Sequence, residues 1–464
     1  MNPVQPQSSQ SLSLGTIAPR PTPSRLSAIQ AQGRGWLWAL GIGLAWGLAS
    51  CGGSPSPQAQ GEATDGASTG QEVEFWTMQL SPDFDAYMNG LIDSFEAANP
   101  TITVRWVDVP WAAMESKILT AVSAGTPPDV VNLNPNFASQ LASRDAWLNL
   151  TPLVAPEVRS TYLPNIWQAS SLGETTFGLP WYLTTRVAIY NQSLLKAAGI
   201  TQPPKTYGEL ATAAKAIKEK TGKYAFFVTF VPEDSGEVME SLVQMGVTLV
   251  DAQGKAAFQT PEGKAAFQYW VDLYQGGLLP QEVLTQGHRR AIELYQSGET
   301  AFLSSSPEFL KSITINAPTV AEVSAASPQI TGTTGKKNVA VMNLVIPQDS
   351  DQPEAAMTFA LYVTNSTNQL AFAQAANVLP STVQALGEYQ NLLAQGGTTA
   401  TSVEQARLVS AQQINEAQVL VPAMKDGNLL QKAIYENLQA AMLGQKTVDQ
   451  ALADAAQSWN SRTP

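Results

Sequence analysis

At 464 residues the chain is too long for one hydrophobic core, so two or three domains or lobes are expected. Its 44% apolar and 14% charged content is that of a globular chain, not a disordered one. A net charge of −12 argues against nucleic acid as a partner, because nucleic acid calls for a basic stripe.

The first fifty residues carry Arg20, Arg25 and Arg34 and no acidic residue. Residues 35–48 then form an apolar run, too short for a comfortable membrane span and of the length of a signal-peptide core. It leads into Leu48-Ala49-Ser50-Cys51, and Cys51 is the only cysteine of the chain. This order resembles a bacterial lipobox, which implies that residues 1–50 are a lipoprotein signal peptide and that Cys51 is lipidated after cleavage. One cysteine allows no disulfide within the chain, so the fold must rest on its core. Residues 51–71 are rich in Gly, Ser, Pro, Gln, Ala and Thr and read as a disordered tether with a reach of about 25 Å.

The globular part opens on Glu72-Val73-Glu74-Phe75-Trp76, an alternating strand. Phe84, Met88, Leu91, Ile92 and Phe95 follow at helical spacing, stopped by Asn99-Pro100. Residues 101–109 read as a second strand. Trp111, Met114, Ile118 and Val122 mark a helix face ended by Gly125, and Val130-Val131-Asn132-Leu133 reads as a third strand. The pattern β-α-β-α-β is that of a parallel sheet with helices on its faces. Further on, Gly178-Leu179-Pro180-Trp181-Tyr182-Leu183-Thr184-Thr185 is a turn with an aromatic pair and hydroxyls, leading into a buried strand from Val187. Thr206 to Glu209 reads as a capping box, residues 224–231 as a strand, Thr260-Pro261 as a helix start and residues 340–346 as a late strand. Leu430, Ile434, Leu438 and Met442 lie at spacing four, and Thr447 to Gln450 is a last capping box.

Catalytic chemistry finds little support. The one histidine, His288, has no Gly-x-Ser-x-Gly elbow to serve. Zinc lacks a Cys or His cluster, and no phosphate-binding loop is present, so no cofactor is expected. The carboxylate pairs Glu233-Asp234 and Asp349-Asp351 sit in polar, Pro-flanked loops and read as solvated turns, which leaves a cell-surface glycoside hydrolase as the alternative class. An aromatic pair beside hydroxyls suits a sugar, whose rings have apolar faces and hydroxyl edges.

The order of motifs resembles the extracellular solute-binding proteins of bacterial ABC sugar importers, the group that includes maltose-binding proteins. The blocks are Val73-Glu74-Phe75-Trp76, Phe95-Glu96-Ala97-Ala98-Asn99-Pro100, Gly125-Thr126-Pro127-Pro128-Asp129-Val130-Val131, Gly178-Leu179-Pro180-Trp181-Tyr182, Gly298-Glu299-Thr300-Ala301-Phe302 and Leu379-Pro380-Ser381. The resemblance implies an α/β, two-lobe periplasmic-binding-protein fold of type II with a ligand cleft. Lobe one would be 72–182 plus 341–385, lobe two 183–340 plus 386–462, with hinge crossings at residues 181–185 and 339–343. It implies a monomer with no enzymatic activity that delivers a neutral sugar, disaccharide or glycoside to ABC permease subunits outside the cytoplasm. A binder of a charged solute such as glycerol phosphate is a further alternative, with Arg186 as the nearby cation. Carried over position by position, the ligand contacts would be Trp76, Met78, Asp129, Asn132, Asn134, Asn136, Trp181, Tyr182, Thr184, Ser306, Glu308, Phe309, Met342 and Asn343. Many members have a glycine and a tryptophan where this chain has Ser306-Pro307-Glu308-Phe309. Trp111, Trp147, Trp167 and Trp270 are read as packing.

Overall fold

The structure is a computed structural model that describes residues 70–462 except 143, 398, 399, 422 and 423. The expected signal peptide, Cys51 and nearly all of the tether lie outside the described residues. Among the described residues no helix is long and apolar enough to cross a membrane.

The opening alternation folds as its periodicity dictates: β1 (Gln71–Met78), α1 (Asp85–Ala98), β2 (Ile102–Val109), α2 (Trp111–Ala124), β3 (Val130–Leu133) and α3 (Pro135–Ala142). β1 lies between β2 and β3 and runs parallel to both. α1 buries Met88, Leu91, Ile92 and Phe95, the face set by the 3.6-residue period. Gly125 ends α2 at φ 68, the left-handed conformation a residue with a Cβ resists.

Three later strands complete this sheet, in the order Leu379–Pro380, Leu179–Thr184, Ala340–Val345, β3, β1, β2. Ala340–Val345 is antiparallel both to β3 and to Leu179–Thr184. Two reversals return Leu179–Thr184 to the direction of β3. Thr184 therefore ends on the same sheet edge as the carboxyl ends of β1, β2 and β3, and Ala340 starts from that edge.

A second sheet has Val187–Asn191 at its centre, antiparallel to Phe302–Ser305 and Ser324–Ser327. Val187 pairs with Ser305 and Ala188 with Ser327, so Val187, Ser305 and Ser327 share one edge. Only Thr185 and Arg186 separate this edge from Thr184. The crossing is pinned by the Thr185 hydroxyl, which bonds Ser410 Oγ at 2.7 Å and accepts Gln413 Nε2 at 2.8 Å.

The apolar side chains gather in two large clusters. One joins β1 to β3 with Trp181, Tyr182, Phe359 and Phe372. The other joins Val187 and Ile189 with Phe226, Trp270, Phe302 and Tyr435. A small third cluster at the crossings holds Leu183, Val339 and Val341 with Ile166 and Tyr389.

Two expectations differ from the structure in detail. Residues 224–231 form no strand, and only Tyr224 makes an isolated bridge, to Thr300. Phe226, Phe227, Val228 and Phe230 are buried as an apolar run should be, yet their segment forms no ladder: the Phe230 amide bonds the Val283 carbonyl of a short 3-10 helix at 2.8 Å. At the helix Tyr207–Thr221, Thr206 accepts the Glu209 amide at 3.2 Å, but the Glu209 carboxylate takes the Lys205 amide at 2.7 Å instead of that of Thr206. The box from Thr447 to Gln450 is complete in both directions.

Candidate functional site

In open α/β sheets ligands bind outside the carboxyl ends of the strands. Here that edge carries the turn after β1, the start of α2 and the start of α3. Asp108 of β2 shapes the first of these. Its carboxylate accepts the Thr77 hydroxyl at 2.7 Å, the Leu80 amide at 2.9 Å and the Ser81 amide at 3.2 Å. Gln79, at the bend, has φ 52. Trp111 opens α2 directly after Pro110 and is 42% exposed, although Met114 and Ile118 on the same helix are buried. Asn134 caps α3, its Oδ1 accepting the Phe137 amide at 2.9 Å.

The facing wall is built from the edge of the second sheet and what adjoins it. Ser306 follows Ser305 and is half-buried, and Phe309 opens the helix Phe309–Asn316. The Phe309 ring meets that of His288 edge-on, centroids 6.4 Å apart. The Asp234 carboxylate accepts the His288 amide at 2.7 Å, at the start of the helix His288–Gln296, where the helix dipole favours an anion. Arg186, on the crossing, bonds Ser235 Oγ at 3.4 Å through Nη2. Its Nη1 lies 3.1 Å from Glu237 and 3.7 Å from Glu240.

The electrostatics of this wall follow from burial and pairing. Burial works against the Arg186 charge, but Glu240 and Glu237 outweigh it and raise the pKa. Burial raises the Glu240 carboxyl, with Arg186 pulling it back and Glu237 pushing it further up. His288 is held below its ordinary value, mainly by desolvation. Among the described residues no group of His, Cys, Asp and Glu could hold a metal ion.

The fourteen positions expected to touch ligand fall into three groups. Asn134, Thr184, Ser306, Glu308 and Phe309 lie at the two edges just described. Glu308 also clamps the region, accepting Arg407 Nε at 2.8 Å and Asn377 Nδ2 at 3.2 Å. Asn136, on the first turn of α3, falls outside the residues whose side chains are described.

A second group is packed inside the first apolar cluster. Trp181 is 0% exposed, stacked on Phe372 with centroids 4.6 Å apart and planes at 19°. A ligand could reach that face only if the stack parted. Among the described residues its Nε1 has no hydrogen-bond partner. Tyr182, Asn132, Met342 and Asn343 are buried beside one another in the sheet, where Asn132 Nδ2 donates to the Asn343 carbonyl at 3.3 Å and the Tyr182 hydroxyl makes a long 3.5 Å bond to Asn132. Met78 and Trp76 are buried in β1, with Trp76 Nε1 donating to Glu74 at 2.6 Å and Lys117 lying 3.9 Å from its ring centre.

Asp129 stands alone at the amino end of β3, away from the carboxyl edge. It accepts the Glu74 amide at 2.8 Å and the Ser350 hydroxyl at 2.6 Å, which ties two segments of the first cluster.

Trp111, read from the sequence as core or surface packing, is 42% exposed at the carboxyl edge of the first sheet. Its signal in the sequence is its place, first in a helix after a strand-ending Pro110. Arg186, Asp234, Glu237 and His288 come together only in three dimensions.

The family model of the bacterial extracellular solute-binding proteins matches residues 80–370, more than half of the chain. A crystal structure of a candidate oligosaccharide periplasmic-binding protein from Synechococcus sp. MITs9220 is 47% identical, with a TM-score of 0.79, over 84% of this chain and 100% of that one. The mannitol-binding protein of Pseudomonas aeruginosa is 23% identical over 391 residues, 80% of this chain and 88% of its own. The diacetylchitobiose-binding protein of Streptomyces coelicolor is 26% identical over 235 residues, 48% of this chain and 54% of its own. The chain has the two-lobe periplasmic-binding fold of these neighbours, and it belongs to the bacterial extracellular solute-binding proteins, a family of binders and not of enzymes.

Proposed function

We propose that this chain is the substrate-binding component of an ABC sugar importer, holding a sugar, disaccharide or glycoside between its lobes and handing it to permease subunits. The observation that carries the reading is Trp111. An indole left 42% exposed at the carboxyl edge of parallel strands offers a flat apolar face for a pyranose ring. Phe309, His288, Ser306 and Asn134 supply a second ring and polar groups for hydroxyls. The sugar ligands named for the neighbours above support the same class. Lobe one is read as 72–182 plus 341–385 and lobe two as 183–340 plus 386–462, and the two large apolar clusters support that division. An anionic solute is disfavoured, because Arg186 is already neutralised by Glu237 and Glu240.

The same reading places the mature chain outside the cytoplasm as a monomer, lipidated at Cys51 and tethered to a membrane through residues 52–71. Cys51→Ser should leave the chain uncleaved and without lipid, and normal cleavage of that variant would remove the anchor. A thermal-shift screen of the purified chain against monosaccharides, disaccharides, polyols and glycosides tests the binding function. A saccharide at one hundred times its Kd adds about 2.7 kcal/mol of stability. A screen in which no saccharide raises the melting temperature would count against the reading.

A further inference from the structure

Arg186, Glu237 and Glu240 also line a small chamber of about 60 Å³ that runs into the second apolar cluster. Tyr207, Phe226 and Trp270 form its aromatic wall, with Trp270 ring centres 6.1 Å from Tyr207 and 6.2 Å from Phe226. Among the described residues most neutral donors of the lining are already engaged, the Ser304 hydroxyl excepted. Tyr207 donates to Gln244 Oε1 at 2.6 Å, Gln244 Nε2 to the Lys336 carbonyl at 3.0 Å, and Ser241 Oγ to the Val238 carbonyl at 2.6 Å. Gln329 Nε2 donates to the Asn338 carbonyl at 2.7 Å, and Trp270 Nε1 to Ser241 at 3.1 Å.

Among its charged groups the lining has negative charge in surplus, although Arg186 Nη1 itself completes no hydrogen bond among the described residues. Two carboxylates converge on one guanidinium nitrogen, Arg186 Nη1, at 3.1 and 3.7 Å. One cation against two anions leaves a net negative charge beside aromatic faces. An ionised carboxylate only accepts hydrogen bonds. The complement is a cationic donor, which a π face also attracts.

We propose that this chamber takes a protonated amine, so that the ligand of the cleft is an amine-bearing saccharide and not one with hydroxyls alone. The proposal rests on the saccharide reading above and departs from the neutral sugar expected from the sequence. The amino group enters the chamber from the Arg186 side and shares the Glu237 and Glu240 carboxylates with the guanidinium. The ring that carries it remains at the cleft edge.

Calorimetric titration of the full chain near pH 6 with four probes tests this: chitobiose with free amines, its diacetylated form, cellobiose and 1,4-diaminobutane, at a pH where the amines are charged. The free amine is expected to bind at least about tenfold tighter than either neutral disaccharide, as charge-assisted bonds in a low-dielectric site should. Glu240→Gln should bring the three disaccharides within about twofold of each other, and Glu237→Gln serves the same end if the first variant melts early. Neutral disaccharides that bind as tightly as the amine would overturn the proposal and leave the saccharide reading standing. So would discrimination that survives in both variants. Binding of diaminobutane without any disaccharide would support the chamber and overturn the saccharide reading, and no binding of any probe would overturn both.

Discussion

The indole of Trp181 lies almost flat on the ring of Phe372, with centroids 4.6 Å apart, and Phe75 closes in at 6.1 Å. This stack joins the strand Leu179–Thr184 to the helix Ser366–Ala376 and fills the middle of the first apolar cluster. Trp181→Ala should therefore cost about 3–5 kcal/mol of folding stability, the range for emptying a large buried aromatic site. A urea melt measures it. A variant that melts like the wild type but no longer binds saccharide would make Trp181 a ligand platform after all.

Trp111→Ala should do the opposite. Its exposed indole has little packing to lose, so the melt of the unliganded chain should stay close to that of the wild type. Saccharide affinity should fall by about 1–3 kcal/mol, the worth of one aromatic contact face. Titration of both variants side by side separates packing from binding.

Glu308 holds Arg407 through two nitrogens, at 2.8 and 2.7 Å, and Asn377 at 3.2 Å. Arg407 keeps only 18% of its side chain exposed, so removing its partner strands a mostly buried charge. Glu308→Ala should cost about 1–3 kcal/mol, between the values for exposed and buried pairs. In a double-mutant cycle with Arg407→Ala the second substitution should add little, and full additivity would show that the pair is not coupled.

His288 carries a pH signature. Its folded pKa lies below the ordinary 6.5, so the unfolded chain binds the proton more readily. Stability from this group is present above 6.5 and is lost as pH falls through the window beneath it. Glu240 has the other sign. Its carboxyl is raised above 4.5, so its contribution is present below that value and is lost as pH rises through the folded pKa. Urea melts between about pH 7.5 and pH 5.5 should show the wild type losing more stability than His288→Gln. The difference is small, since His288 is part-exposed and water screens it. Equal losses would remove the histidine from the titration.

The sequence made the order β1-α1-β2-α2-β3 legible because periods of two and 3.6 residues separate strand from helix without tertiary information. Boundaries were read closely where a breaker stood, as at Gly125 and Asn99-Pro100. Residues 224–231 form no strand because an apolar run reports burial and not backbone pairing. The site was less legible for a related reason. An aromatic residue beside a turn looks alike whether it packs a core or faces a ligand, and Phe372 lies far along the chain from the Trp181 it covers. Asp129 precedes β3 and so sits at its amino end, a position that a resemblance carried over by motif does not weigh. The register shows it bonded to the Glu74 amide, at the end opposite the cleft. Trp111 shares a helical face with Met114 and Ile118, so the helical period alone reads it as buried, yet at the first residue of the helix it is exposed.

Binding without turnover is tested most directly by calorimetric titration of the chain with its best saccharide from the thermal-shift screen, followed by recovery of that saccharide. The expected result is saturable binding at one site per chain, weakened by Trp111→Ala, with the saccharide recovered intact. A cleaved saccharide, or a heat signal that never saturates with any member of the panel, would contradict it.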